Sequence, residues 1–185
     1  MNDMQNDREV ASPLAAAILD DRSIDIDAFL ARVVQQQLAA GRRVFGCLMS
    51  RPPREPGCSA TMVLVDIDTS ERYLVSQPMG ANSKACRADT QGFARASQIF
   101  RTALEQSPDL VVSNRFGELE VRGGGFSAEL LDLMSAEIPL LTTVATKNTR
   151  AWQEFSGGAP LLPADPVAVA AWVEQALSAR RLVTT

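Results

Sequence analysis

Residues 109–126, DLVVSNRFGELEVRGGGF, concentrate the side chains best suited to hold a ligand. Leu110–Val112 reads as a short buried strand. The chain then turns polar at Ser113, Asn114 and Arg115, and continues through Gly117, Glu118 and Glu120 to the glycines Gly123, Gly124 and Gly125. Arg115 suits an anion. Asn114 can donate or accept, and backbone N–H groups around Gly117, Gly123 and Gly124 could close round a polar group. The competing account is structural: Arg115 pairs with Glu118 or Glu120, and the glycines only allow a tight turn.

A second candidate is the loop Ser76–Asp89, which carries Ser76, Gln77, Gly80, Asn82, Ser83, Lys84, Cys86 and Arg87. Many donors and two cations in one loop suit an oxyanion, although a solvated surface loop has the same composition. A third is the turn Asp20–Asp25, DDRSID, where Asp21 and Ser23 could contact a ligand or Asp20 and Asp21 a metal. A phosphate cradle at such a turn needs glycines and then Lys-Ser/Thr. This turn has neither glycine nor lysine, and its aspartates repel a phosphate chain.

Other chemistry is thinly supplied. The chain has no histidine, so the usual general base and the commonest transition-metal ligand are missing. Lys84 and Lys147 are not paired by spacing with any serine or cysteine nucleophile. Cys47, Cys58 and Cys86 have no metal-type spacing. Cys58 and Cys86 remain weak candidates for a soft metal or a redox bridge, against the simpler reading of free thiols.

The elements that must position these residues alternate along the chain. Leu14–Leu19 is a continuous apolar run of the kind a buried parallel strand needs. Asp25 suits an N-cap, and Phe29, Leu30, Val33, Val34 and Leu38 recur at helical spacing up to Gly41. Arg43–Met49 is a second strand. Thr61–Asp68 and Arg72–Gln77 form a β-hairpin about the turn at Thr69–Glu71. Helices are expected at Phe93–Leu104, at Ser127–Glu137 with Ser127 as cap and Leu130, Leu131 and Met134 inward, at Thr149–Phe155, and at Pro166–Ser178. A buried strand is expected at Ile138–Ala145. The fold class is therefore α/β, a mainly parallel sheet with helices on both faces and a β-hairpin insertion. Residues 13–181 are expected to form a single domain after a disordered stretch at 1–12.

The 185 residues carry a net charge of -4, which argues against a general nucleic-acid surface. The polar N-terminus has no signal-peptide pattern and no apolar run approaches a membrane span. A cytoplasmic protein is expected, with a small anionic or nucleotide-like ligand, no membrane or nucleic-acid partner, an unknown cofactor, and homo-oligomerisation open.

Across nearly the whole chain the segments LAAAILDD, MVLVDIDTSERYLVSQ with the following Gly80, CRAD at Cys86–Asp89, DLVVSNRFGELE with Gly123–Gly125 and Phe126, and IPLLTTVATKN occur in order. They resemble an uncharacterised bacterial family, a domain of unknown function whose genes are often found near molybdate-transport genes. That family is in turn distantly similar to P-loop nucleoside-triphosphatases with a VIDEIG-x-M-E second motif. The resemblance implies a P-loop-NTPase-like fold. It sets Asn114 where the magnesium-linked aspartate would be and Arg115 where the catalytic glutamate would be, while Gly117 and Glu120 match. What is expected is a non-hydrolytic, small-ligand-binding accessory protein, with a role in molybdate handling or regulation implied by the family. The alternative is a divergent magnesium-dependent nucleoside-triphosphate phosphohydrolase using Asp20, Asp21 or Glu120 for metal.

Overall fold

The computed structural model describes residues 14–52, 61–77 and 87–183. The strands are β1 (Ala15–Asp20), β2 (Val44–Ser50), β3 (Val63–Asp66), β4 (Arg72–Leu74), β5 (Ser76–Gln77), β6 (Arg87–Ala88), β7 (Leu110–Phe116), β8 (Leu140–Ala145) and β9 (Leu161–Leu162). The helices are α1 (Ile26–Ala39), α2 (Thr90–Gln106), α3 (Glu118–Val121), α4 (Ser127–Ser135), α5 (Thr149–Ser156) and α6 (Pro166–Val183). Seven strands form one sheet in the order β4-β3-β2-β7-β8-β1-β9. The run from β2 to β9 is parallel, and β3 and β4 add to its β2 edge as an antiparallel hairpin.

Burial on both faces explains the uninterrupted apolar strands. Ala15, Ala17, Val111 and Leu140 face a layer built by α2, α4 and α5. Ala16, Ile18, Leu110, Val112 and Leu141 face α1 and α6. The architecture is a P-loop-NTPase-like α/β sheet with a hairpin at one edge, as expected from the sequence.

Several local expectations shift. α4 begins at Ser127 itself, so Ser127 is its first helical residue rather than its cap. Leu133 is fully buried and Leu131 exposed, so the inward face of α4 is rotated from the expected one. On α1, Leu38 is likewise exposed, and Gln37 is buried beside Arg42, to which it is hydrogen-bonded. The second hairpin strand stops at Leu74, because Ser76–Gln77 pairs instead with Arg87–Ala88 in a separate two-stranded sheet. Pro166 opens α6, where its missing N–H costs nothing, and Asp165 accepts from the Ala168 N–H at 2.8 Å. Among the described residues no helix is long and apolar enough to cross a membrane. The expected disorder at 1–12 lies outside the described residues.

Candidate functional site

The site is built at the carboxyl ends of the parallel strands, where open α/β sheets place ligands. The expected strand Leu110–Val112 continues to Phe116, because Ser113, Asn114 and Arg115 stay alongside β8 rather than being released into a loop. Ser113 pairs with Thr142 and Phe116 with Val144 on β8. The residues Asn114 and Arg115 thus stand together opposite Thr143, which is a β-bulge. Successive strand residues ordinarily point to opposite faces. At this bulge both turn to the α1 side, where a bulge re-aims a side chain at a site.

Both then meet one carboxylate. Asp25 caps α1, accepting from the Ala28 N–H at 3.0 Å, and this fixes Asp27 in the first turn. Asp27 Oδ1 accepts from Asn114 Nδ2 at 3.0 Å and from Arg115 Nη2 at 3.1 Å. Asp27 Oδ2 accepts from Arg51 Nε at 3.0 Å, just beyond the end of β2. Arg115 Nη1 lies 3.9 Å from Asp20 Oδ2 at the end of β1. Asn114 is buried, and its Oδ1 accepts from Thr143 Oγ1 at 3.3 Å. The two arginines and two aspartates cancel in charge. They line an open cleft of about 710 Å³ with Arg22, Asp25 and Ser50. Arg115 Nε is buried there without a hydrogen-bond partner.

Arg115 does not pair with Glu118 or Glu120, so that part of the structural account is corrected. Glu118 pairs with Lys147, which holds its carboxyl below the ordinary value, and lies 3.9 Å from Arg122. Glu120 is buried at 5 % exposure, and its oxygens accept from the N–H groups of Gly117 at 2.9 Å and Phe126 at 3.1 Å. Burial raises its pKa despite those bonds. Glu120 therefore ties the start of α3 to the start of α4, and the Gly117 N–H is not free for a ligand. The Gly123 and Gly124 N–H groups bond back to the carbonyls of Glu120 and Leu119, ending α3. These two glycines are occupied by the turn, contrary to the expectation of open donors.

The first turn is also closed on itself. Asp20 Oδ1 accepts from the Arg22 N–H at 3.1 Å, and Asp21 Oδ1 from the Ser23 N–H at 2.9 Å. The Ser23 bonds lower the Asp21 pKa. Ser76 is buried, and its hydroxyl accepts from the Met62 N–H at 2.8 Å, so it serves the hairpin. Gln77 and Arg87 contribute backbone to the small sheet. Gly80, Asn82, Ser83, Lys84, Cys58 and Cys86 lie outside the described residues. Cys47 is a buried free thiol pushed up to about 12 by burial, which makes it unreactive at neutral pH. Among the described residues no group of three or more His, Cys, Asp or Glu side chains could hold a metal ion.

The family model described as "Protein of unknown function (DUF2478)" matches residues 15–172. The chain belongs to that family. It is also similar to the molybdenum import ATP-binding protein ModC 2 of Bradyrhizobium diazoefficiens, with 35% identity over 150 residues. That alignment takes in 81% of this chain but 17% of the relative, so the chain spans under a fifth of that protein's length. The DUF2478 match contains the Asp27 carboxylate, its partners Arg51, Asn114 and Arg115, and Asp20.

Sequence reasoning found Asn114 and Arg115 but missed Asp27, Arg51 and Thr143. Asp27 carried a usable signal: an acidic residue two places after an N-cap, in the helix that follows the first strand. Arg51 carried a weaker one, as a cation directly after an apolar strand. Thr143 sat inside an apolar run and carried none.

Proposed function

We propose that this protein binds a small oxyanion or nucleotide-like ligand without hydrolysing it, as an accessory component in molybdate handling or regulation. The observation that carries this reading is the meeting of Arg51 and Arg115 in one cleft at the carboxyl end of the sheet, with the buried Asn114 amide on the same Asp27 carboxylate. Guanidinium groups with a buried amide suit recognition of an anion. The side chains themselves support the non-hydrolytic part of the reading. A phosphoryl-transfer site of this fold cradles phosphates on free N–H groups and a lysine, and holds magnesium through a carboxylate on the neighbouring strand. Here the turn donates the Arg22 and Ser23 N–H groups to its own aspartates, and the strand presents Asn114 and Arg115. The link to molybdenum is supported by the similarity to ModC 2, a molybdenum import ATP-binding protein, over 17% of that protein's length.

Arg115→Ala is the direct test. Calorimetry with molybdate, phosphate and ATP is expected to find binding to the parent and a loss of about tenfold or more in the variant, the scale of a lost charge-assisted hydrogen bond. The variant keeps a folded circular dichroism spectrum. Equal affinity in the two proteins contradicts the reading. So does sustained magnesium-dependent phosphate release from a nucleotide that is lost in Glu120→Gln, which favours the phosphohydrolase.

A further inference from the structure

Asp27 stands in the cleft as an anion stands between cations. One of its oxygens is shared by Arg115 and Asn114, and the other takes Arg51. The three donors come from two different strand ends and converge on a single carboxylate at the cleft surface, where the Asp27 side chain is 18% exposed. A ligand anion that needs these donors meets a site already filled from within. We infer that Asp27 is a built-in competitor, that the ligand displaces it from Arg51 and Arg115, and that the ligand is a compact tetrahedral oxyanion dianion. The inference rests on the small-anion reading of the cleft and specifies how that site is gated and what it selects.

Three physical points select that class. The donors sit on opposite oxygens of Asp27, so the replacing anion must present oxygens in divergent directions, as a tetrahedral oxyanion does. Two guanidiniums replace one carboxylate charge with two more readily than with one, which favours a dianion over a carboxylate or nitrate. An extended phosphate chain would lie over Asp20, Asp21 and Asp25, whose side chains already accept from the Arg22, Ser23 and Ala28 N–H groups. Like charge and the occupied donors both exclude it. Arg115 adds a further sign that the resident arrangement is incomplete, because its buried Nε finds no acceptor.

Arg51 is thereby a binding residue, and Asp27 sets the affinity. The test is isothermal calorimetry of the full chain at low ionic strength with molybdate, sulfate, phosphate and ATP, for the parent, Asp27→Asn and Arg51→Gln. Asp27→Asn keeps an amide oxygen for Asn114 and removes the competing charge. It is expected to tighten molybdate and sulfate binding by about tenfold to a hundredfold, the equivalent of one charge-assisted hydrogen bond released to the ligand. Arg51→Gln is expected to weaken binding about tenfold in both backgrounds. Arg51 is half exposed, so this variant reports even where Asp27→Asn folds poorly, and Asp27→Ser serves as its replacement. If the parent binds molybdate and Asp27→Asn binds it equally or more weakly, the displacement is overturned while the small-anion reading stands. If ATP binds and the oxyanions do not compete with it, the compact-anion class is overturned. If no protein of the set takes up any of the four probes, the reading of the cleft falls and this inference falls with it.

Discussion

Gly46→Ala is expected to cost about 3–5 kcal/mol, adding backbone strain to the overpacking of a full core. Gly46 sits in β2 at φ +114, and a methyl carbon placed there would lie 1.9 Å from the Val112 carbonyl oxygen on β7. The obstacle is backbone, so no side-chain rotation relieves it. Gly46 and Val112 are register partners, and their strands end in Arg51 and in Asn114–Arg115 respectively. Forcing β2 from β7 therefore separates the two cations of the cleft as well as weakening the sheet. With a total stability of about 5–15 kcal/mol for a typical domain, the loss is a large share of the whole. Thermal melts should fall by about 10 °C or more. Gly41→Ala is the control: Gly41 also has positive φ, at +76, but nothing lies within 4 Å of the added carbon. It should cost only about 1 kcal/mol. Equal melting temperatures for Gly46→Ala and the parent would contradict the account of the β2–β7 contact.

Glu120→Ala is expected to cost about 2–5 kcal/mol, because it strands the N–H groups of Gly117 and Phe126. The gap is lined by Gly125, where an added methyl carbon would lie 2.0 Å from Glu120 Oε1. Phe126, whose N–H Glu120 holds, packs at 5.1 Å from the Phe93 ring and 4.8 Å from the Phe100 ring. Loss of the carboxylate should therefore loosen the junction of α3 and α4 against α2. Glu120→Gln should cost less, since it keeps one acceptor. Its pH dependence has a definite sign. Burial raises the Glu120 pKa in the fold above its ordinary 4.5. The stability gained from that shift is full below 4.5 and is lost as pH rises through the raised value. The penalty of Glu120→Gln, read as the difference from the parent in urea, should therefore be larger at pH 4 than at pH 7. A penalty that grows toward neutral pH contradicts this.

The strands and long helices were legible because their causes are local. Ala15–Ile18 and Leu140–Leu141 are apolar on both faces, and the α6 stripe Val169, Trp172, Val173 and Leu177 is buried as its spacing implies. The bulge was hidden. Asn114 and Arg115 look like the start of a loop, and only pairing with β8 holds them in a strand and turns both toward α1. α3 was hidden for a similar reason, since its stability comes from Glu120 reaching Gly117 and Phe126 rather than from a long periodic run. β9 is two residues against β1 and has no signal apart from that partner. The site was half legible. Residue chemistry marked Arg115 and the unsuitable first turn, but the residue that meets Arg115 comes from α1, 88 positions away. Without that carboxylate in view, the sequence leaves Arg115 open between an anionic ligand and its neighbours Glu118 and Glu120.

Anomalous diffraction from crystals soaked in tungstate is the most direct measurement of the central claim, that the carboxyl-edge cleft holds a compact oxyanion on Arg51 and Arg115. The account predicts one tungsten peak within hydrogen-bond reach of both guanidinium groups, with the Asp27 carboxylate turned away from them. No tungsten at the cleft, or tungsten there with Asp27 still bridging Arg51 and Arg115, contradicts it.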